Sequence, residues 1–162
     1  MILRQVADAD LPAFFEQQRD PEATRMAGFP ARDRATFDAH WRRILADPEV
    51  TTRTVEIDGR VAGNVASFDA GGERLVGYWI DRGHWGRGVA TSALAAFLDI
   101  ERARPLRAHV ADDNTGSIRV LEKCGFVAVD SHRSPDDGVV EIVMELRRDG
   151  SLVTESTARR SS

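Results

Sequence analysis

A chain of 162 residues with 42% hydrophobic side chains is one domain of ordinary size, long enough to bury a core. Its formal net charge of −4 and isoelectric point near 5.6 argue against a nucleic-acid partner, because no Lys/Arg-rich face is evident, and suit a basic substrate. Cys124 is the only cysteine, which leaves no intramolecular disulfide and no cysteine-based metal cluster, and no stretch approaches membrane-spanning length, so the expectation is a cytoplasmic protein without metal or membrane.

Met1 to Val6 reads as a short strand. Asp8 or Asp10 is placed to cap a helix running toward Arg19, with Pro12 in its first turn and Phe14 and Phe15 toward the core. Asp20-Pro21 then breaks the pattern. The segment to Arg32, with Met26, Gly28, Phe29 and Pro30, has no clear period and reads as a semi-ordered connection that plugs the core or walls an acceptor site. Asp33 can cap a second helix, Arg34 to Ala46, with an apolar stripe of Phe37, Trp41, Ile44 and Leu45. His40 lies beside that stripe and reads as structural.

Thr51 to Ile57 and Arg60 to Phe68 form a predicted hairpin across Asp58-Gly59, and the turn from Ala70 to Glu73 leads into a third strand, Leu75 to Ile80. From Thr91 the apolar residues Ala93, Leu94, Phe97, Leu98 and Ile100 recur at helical spacing. Between strand and helix lies Trp85-Gly86-Arg87-Gly88-Val89-Ala90. Small residues there let backbone N–H groups close around an anion at a helix N-terminus, where the macrodipole also favours negative charge. A P-loop would need Lys-Ser or Lys-Thr where Val89-Ala90 stands, and a dinucleotide fingerprint would need a small residue at Thr91 and an acid at Leu106.

Beyond the helix, Pro105 restarts the chain and Leu106 to Ala111 reads as a strand. A short helix follows, Ile118 to Lys123, with Asn114 or Ser117 available to cap it and Gly125 as its C-cap. Phe126 to Asp130 and Val139 to Leu146 make a last hairpin around 134–138. Residues 149–162 form a polar tail behind a domain spanning 1–148.

The loop from Trp85 to Ala90 and the string DNTGSIRVLEKCGF, Asp113 to Phe126, together resemble the GNAT acetyltransferases, whose acetyl-CoA loop matches at Gly88 and Ala90. The tryptophan at position 85, within GYWIDRGHWGRGVATSAL, resembles the ribosomal-protein-serine N-acetyltransferase branch. The resemblance is good from Val61 to Leu146. It implies an α+β fold: a single domain with a mixed, mostly antiparallel sheet of six to seven strands, flanked by helices and splayed between the fourth and fifth strands. It implies acetyl-CoA as co-substrate, held by Tyr78, Trp79, Ile80, Trp85, Gly86, Arg87, Gly88, Val89, Ala90, Thr91, Asn114 and Ser117, with pantetheine pairing to the backbone of Tyr78 to Ile80 like an added strand. The amine would attack directly.

Two family features are missing. A tyrosine near the end of the short helix is replaced by Leu121, so Ser117 is the substitute acid for the departing thiolate. A glutamate two residues before the glycine of GYW is replaced by Leu75, so Glu73 is the first carboxylate to consider as base, on strand parity. His84 reads as a solvated loop residue and Cys124 as buried. Three functions stay open: acetylation of a protein or peptide N-terminus, acetylation of a small amine such as an antibiotic or polyamine, and acyl-CoA binding with weak catalysis. The resemblance leaves a homodimer open.

Overall fold

A computed structural model describes residues 1–27, 31–135 and 137–148. Its strands are β1 (Ile2–Arg4), β2 (Thr51–Ile57), β3 (Arg60–Ala70), β4 (Glu73–Ile80), β5 (Leu106–Ala111), β6 (Val127–Arg133) and β7 (Val140–Leu146), joined in one sheet of order β1-β2-β3-β4-β5-β7-β6. Every neighbouring pair is antiparallel except β4 and β5. The hairpins follow from local chemistry. Asp58 and Gly59 both take positive φ, 51° and 76°, and Gly71 and Gly72 repeat this at 59° and 81°, the backbone that two-residue hairpin turns require.

β4 and β5 are parallel and need a crossover, which α4 (Val89–Phe97) supplies. Their ladder holds one register pair, Leu75 with Arg107. Beyond it the two strands part toward their C-terminal ends, which is the expected splay between the fourth and fifth strands. α4 buries Ala93, Leu94 and Phe97 completely against Val76, Ile80, Leu106 and Ala108. α5 (Thr115–Lys123) adds Leu121 to the same core. On the N-terminal side α1 (Leu11–Gln18) and α3 (Arg34–Ala46) join through Phe14, Phe37 and Trp41, with Phe15, Ile44 and Val61 packed around them.

Several boundaries differ from the sequence expectation. Pro21–Ala27 is a helix, α2, and not a loose connection: the Asp20 carboxylate accepts from the Glu22 and Ala23 N–H groups, and Pro21 sits where a missing N–H costs nothing. Gly28, Phe29 and Pro30 lie outside the described residues. Neither Asp8 nor Asp10 caps α1 with its side chain. Asp10 is drawn instead into a buried cluster, accepting from the two terminal Arg4 guanidinium nitrogens, the Ala7 N–H and the Thr54 hydroxyl, each at 2.8 Å. Leu45 is exposed, so the α3 stripe ends at Ile44. α4 stops at Phe97 and leaves Ile100 in solvent, while α5 starts three residues earlier than expected. β6 begins after Phe126 and runs on to Arg133.

Among the described residues no helix is long and apolar enough to cross a membrane, and no group of His, Cys, Asp and Glu could hold a metal ion. The tail, 149–162, lies outside the described residues.

Candidate active site

The splay, the loop before α4 and the start of α5 meet at one end of the sheet's central strands. Gly88 is the N-cap of α4 in left-handed conformation, φ 75°, and Gly86 shares that φ. No side chain caps the helix, so its first N–H groups, at Val89, Ala90 and Thr91, have no intrahelical acceptor. A Cβ placed on either glycine would meet no heavy atom within 4 Å. The concave side of this loop is therefore open, positively polarised and free of side chains, which fits a pyrophosphate.

Trp85 straps the loop to β4. Its indole Nε1 donates to the Ile80 carbonyl at 2.8 Å, fastening the loop to the end of β4, while the ring stays exposed. A short 3₁₀ turn, Arg82–His84, bridges strand and loop, and Arg82 pairs with Asp20 at 3.0 Å ahead of α2. Gly86, Arg87 and Gly88 are exposed, and Thr91 accepts the Cys124 thiol through its carbonyl at 3.7 Å. Burial pushes the Cys124 thiol above its usual range, consistent with a structural residue.

Asn114 does the capping job for α5: its Oδ1 accepts from the Ser117 N–H, and its Nδ2 donates to the Met26 carbonyl, both at 3.2 Å. α2 is thereby tied to the mouth of the splay. Ser117 has the neighbour that sequence reasoning missed. The Tyr78 phenol lies 2.6 Å from Ser117 Oγ, bridging β4 and α5. The resemblance uses Tyr78 through its backbone only, yet strand alternation sends its side chain to the α5 side with Val76 and Ile80. Burial pushes its hydroxyl up to about 12, against the opposing effect of the Ser117 hydrogen bond, so the phenol keeps its proton at neutral pH. Leu121, where the resemblance implies a tyrosine, is 1% exposed in the core.

The opposite face of β4 and β5 is polar. Glu73 Oε1 takes Arg107 Nη1 at 2.5 Å, and Arg107 Nε also reaches Glu145 at 2.8 Å. Glu73 Oε2 lies 3.7 Å from His109 Nε2, whose other nitrogen meets Glu141 at 2.9 Å. Ser117 and Glu73 thus stand on opposite faces of the sheet, Ser117 beside the splay and Glu73 two residues before the Leu75–Arg107 pair on its closed side, and the structure joins each to residues without motif status. A cavity of about 520 Å³ adjoins Glu73 at the closed end of β4 and β5. Asp69, Glu73, Arg74, Arg104 and Arg107 give it mixed charge. His84 sits beside Asp81 at 3.6 Å in the turn after β4, and His40 beside Arg43 at 3.2 Å on α3.

The chain belongs to the GNAT acetyltransferase family: residues 1–127 match the family model described as acetyltransferase (GNAT) domain. Probable N-acetyltransferase YjcK of Bacillus subtilis (strain 168) is 35% identical over 77 residues, 43% of this chain, and the match spans only 42% of that protein. Aminoglycoside acetyltransferase AAC(6')-Ib in complex with coenzyme A has a similar fold, with a TM-score of 0.77 at 19% identity over 94% of this chain and 98% of that one. Spermidine N-acetyltransferase from Vibrio cholerae in complex with CoA and spermine gives a TM-score of 0.78 at 16% identity, covering 90% and 94%. Identities this low speak for the fold alone.

Proposed function

We propose that the protein transfers the acetyl group of acetyl-CoA directly to a primary amine, and that the acceptor is a protein or peptide N-terminus. The observation that carries the acetyl-CoA reading is the open, side-chain-free loop at the N-terminus of α4, set at the end of a strand that has parted from its parallel neighbour. In this reading the backbone from Gly86 to Thr91, with Trp85 as strut and Arg87 alongside, holds the pyrophosphate. The free edge of Tyr78, Trp79 and Ile80 receives the pantetheine amides, and Asn114 and Ser117 border the thioester. Acetyl-CoA supplies an activated acetyl group, and CoA leaves as the thiol.

The chain's own residues then manage protons and position. The Ser117 hydroxyl, backed by the Tyr78 phenol, donates to the developing thiolate. Glu73, held by Arg107, draws the acceptor ammonium to the polar face of β4 and β5. Most of the acceleration comes from holding the two reactants together. The N-terminal acceptor is supported by the polar face beside the splay, where Glu73, His109 and Glu141 side chains are 36, 32 and 40% exposed: a peptide end can approach it. The adjoining cavity carries three arginines and is poorly suited to a polycation. A small amine is the second reading, favoured by the aminoglycoside and spermidine enzymes of like fold.

The test is thiol release from acetyl-CoA with a serine-initiated hexapeptide, spermidine and kanamycin in parallel. Highest kcat/KM with the peptide is the expected result. Preference for spermidine or kanamycin would transfer the assignment to a small-molecule enzyme, and CoA binding without thiol release would leave an acyl-CoA-binding protein.

A further inference from the structure

We infer that His109 is the base that takes the proton from the acceptor ammonium, and that Glu141 sets its ring for the task. The inference deepens the acetyltransferase reading and rests on it. Three observations carry it. The first is place: His109 lies two residues beyond Arg107, the β5 member of the single β4–β5 register pair, on the same face and at the point where the strands part. The second is tautomer. Glu141 Oε1 lies 2.9 Å from Nδ1, and the base role requires the tautomer in which Nδ1 donates to it and the lone pair falls on Nε2. The third is what Nε2 faces: it points toward Glu73 Oε2 at 3.7 Å, and the other oxygen of Glu73 is already bonded to Arg107.

Glu73 is therefore better arranged to attract an ammonium group than to accept its proton, and in the Nδ1–H tautomer the imidazole beside it carries its lone pair on Nε2. The charged surroundings support the transfer. Glu73 approaches from β4, Arg107 from β5 itself, Glu141 from β7 and His132 from β6, the last with Nε2 at 3.2 Å from the same Glu141 oxygen. α2 also packs on β5, but its Glu22 and Arg25 pair with each other. Once protonated, the His109 imidazolium stands between the carboxylates of Glu73 and Glu141. The ammonium loses two protons overall. One passes to Nε2 and then to water; the other ends on sulfur as the new C–N bond replaces the C–S bond, whose electron pair leaves with the sulfur.

A purely structural His109, bridging two carboxylates, would predict neither a fixed tautomer with a free Nε2 nor a role in the pH profile. The first measurement is ¹⁵N NMR of the imidazoles in the intact protein, which needs no acceptor. The Nδ1–H tautomer is expected for His109, giving way to a mixture in Glu141→Gln; an Nε2–H tautomer in the wild type overturns the inference. The second is kcat/KM against pH for His109→Gln with acetyl-CoA and the best acceptor among the hexapeptide, spermidine and kanamycin. Loss of roughly 10²- to 10⁴-fold is expected, with the fall on the acid side abolished and CoA affinity unchanged. Turnover and acid limb like those of the wild type overturn it. A wild type that fails to bind CoA would instead sink the acetyltransferase reading, and the NMR result still decides whether His109 is built as a base.

Discussion

The phenol of Tyr78 and the hydroxyl of Ser117 share one hydrogen bond at 2.6 Å across the mouth of the splay. If they form one proton path to the thiolate, removing either member should break the same path. Tyr78→Phe and Ser117→Ala are each expected to lower kcat about tenfold, or ~1.4 kcal/mol, with little change in the acetyl-CoA KM. The double variant should be no slower than the slower single one, and fully multiplicative losses would show two independent contributions. Because the phenol is pushed up to about 12, its proton stays in place through mildly alkaline pH, and no alkaline decline below that value should trace to Tyr78. Ser117 was legible from its motif, and Tyr78 only as backbone. The missing step was parity: alternation along β4 puts position 78 on the α5 face, but its partner lies 39 residues away. His109 had still less signal, since its partners come from three other strands that only the sheet order brings together.

Among the elements, the hairpins and the central strand, loop and helix were readable because their signals are local. Asp58-Gly59 and Gly71-Gly72 force their turns, and the small residues before α4 leave its N-terminus bare. α2 was missed although its cap was in view. Asp20-Pro21 breaks one helix and starts the next, since proline is excluded from a helix interior but welcome in a first turn. The end of α4 was misplaced for a different reason. Leu98 still packs against the core and Ile100 continues the apolar spacing, but the helix ends at Phe97, Ile100 is exposed, and the chain turns to bury Glu101. Glu101 accepts from Ser67, the Arg74 guanidinium at 2.9 Å and the Ala103 N–H at 3.0 Å. Periodicity reports which residues could face a core, and tertiary partners decide where a helix stops.

At the scale of the whole molecule, Glu101 and Asp10 make stability depend on pH. Burial pushes both carboxyls up, but hydrogen bonds outweigh it, from Ser67 and Arg74 for Glu101 and from Arg4, Ala7 and Thr54 for Asp10. Both end below their usual range. Their stabilisation is present above the ordinary carboxylate range and is lost as pH falls through the depressed folded-state values. Urea midpoints should therefore fall steadily on acidification, and Asp10→Asn should flatten part of that slope; an unchanged slope would remove Asp10 from the account. The central claim concerns the loop before α4, and calorimetric titration of CoA into the wild type and Gly88→Val tests it most directly. Position 88 needs φ 75°, which a β-branched residue rarely adopts, and its side chain would project where an anion must approach. The account predicts CoA binding by the wild type and a loss of at least about tenfold, ~1.4 kcal/mol, in a variant whose circular dichroism shows it folded. Equal CoA affinity in folded Gly88→Val, or no binding by the wild type, would contradict it.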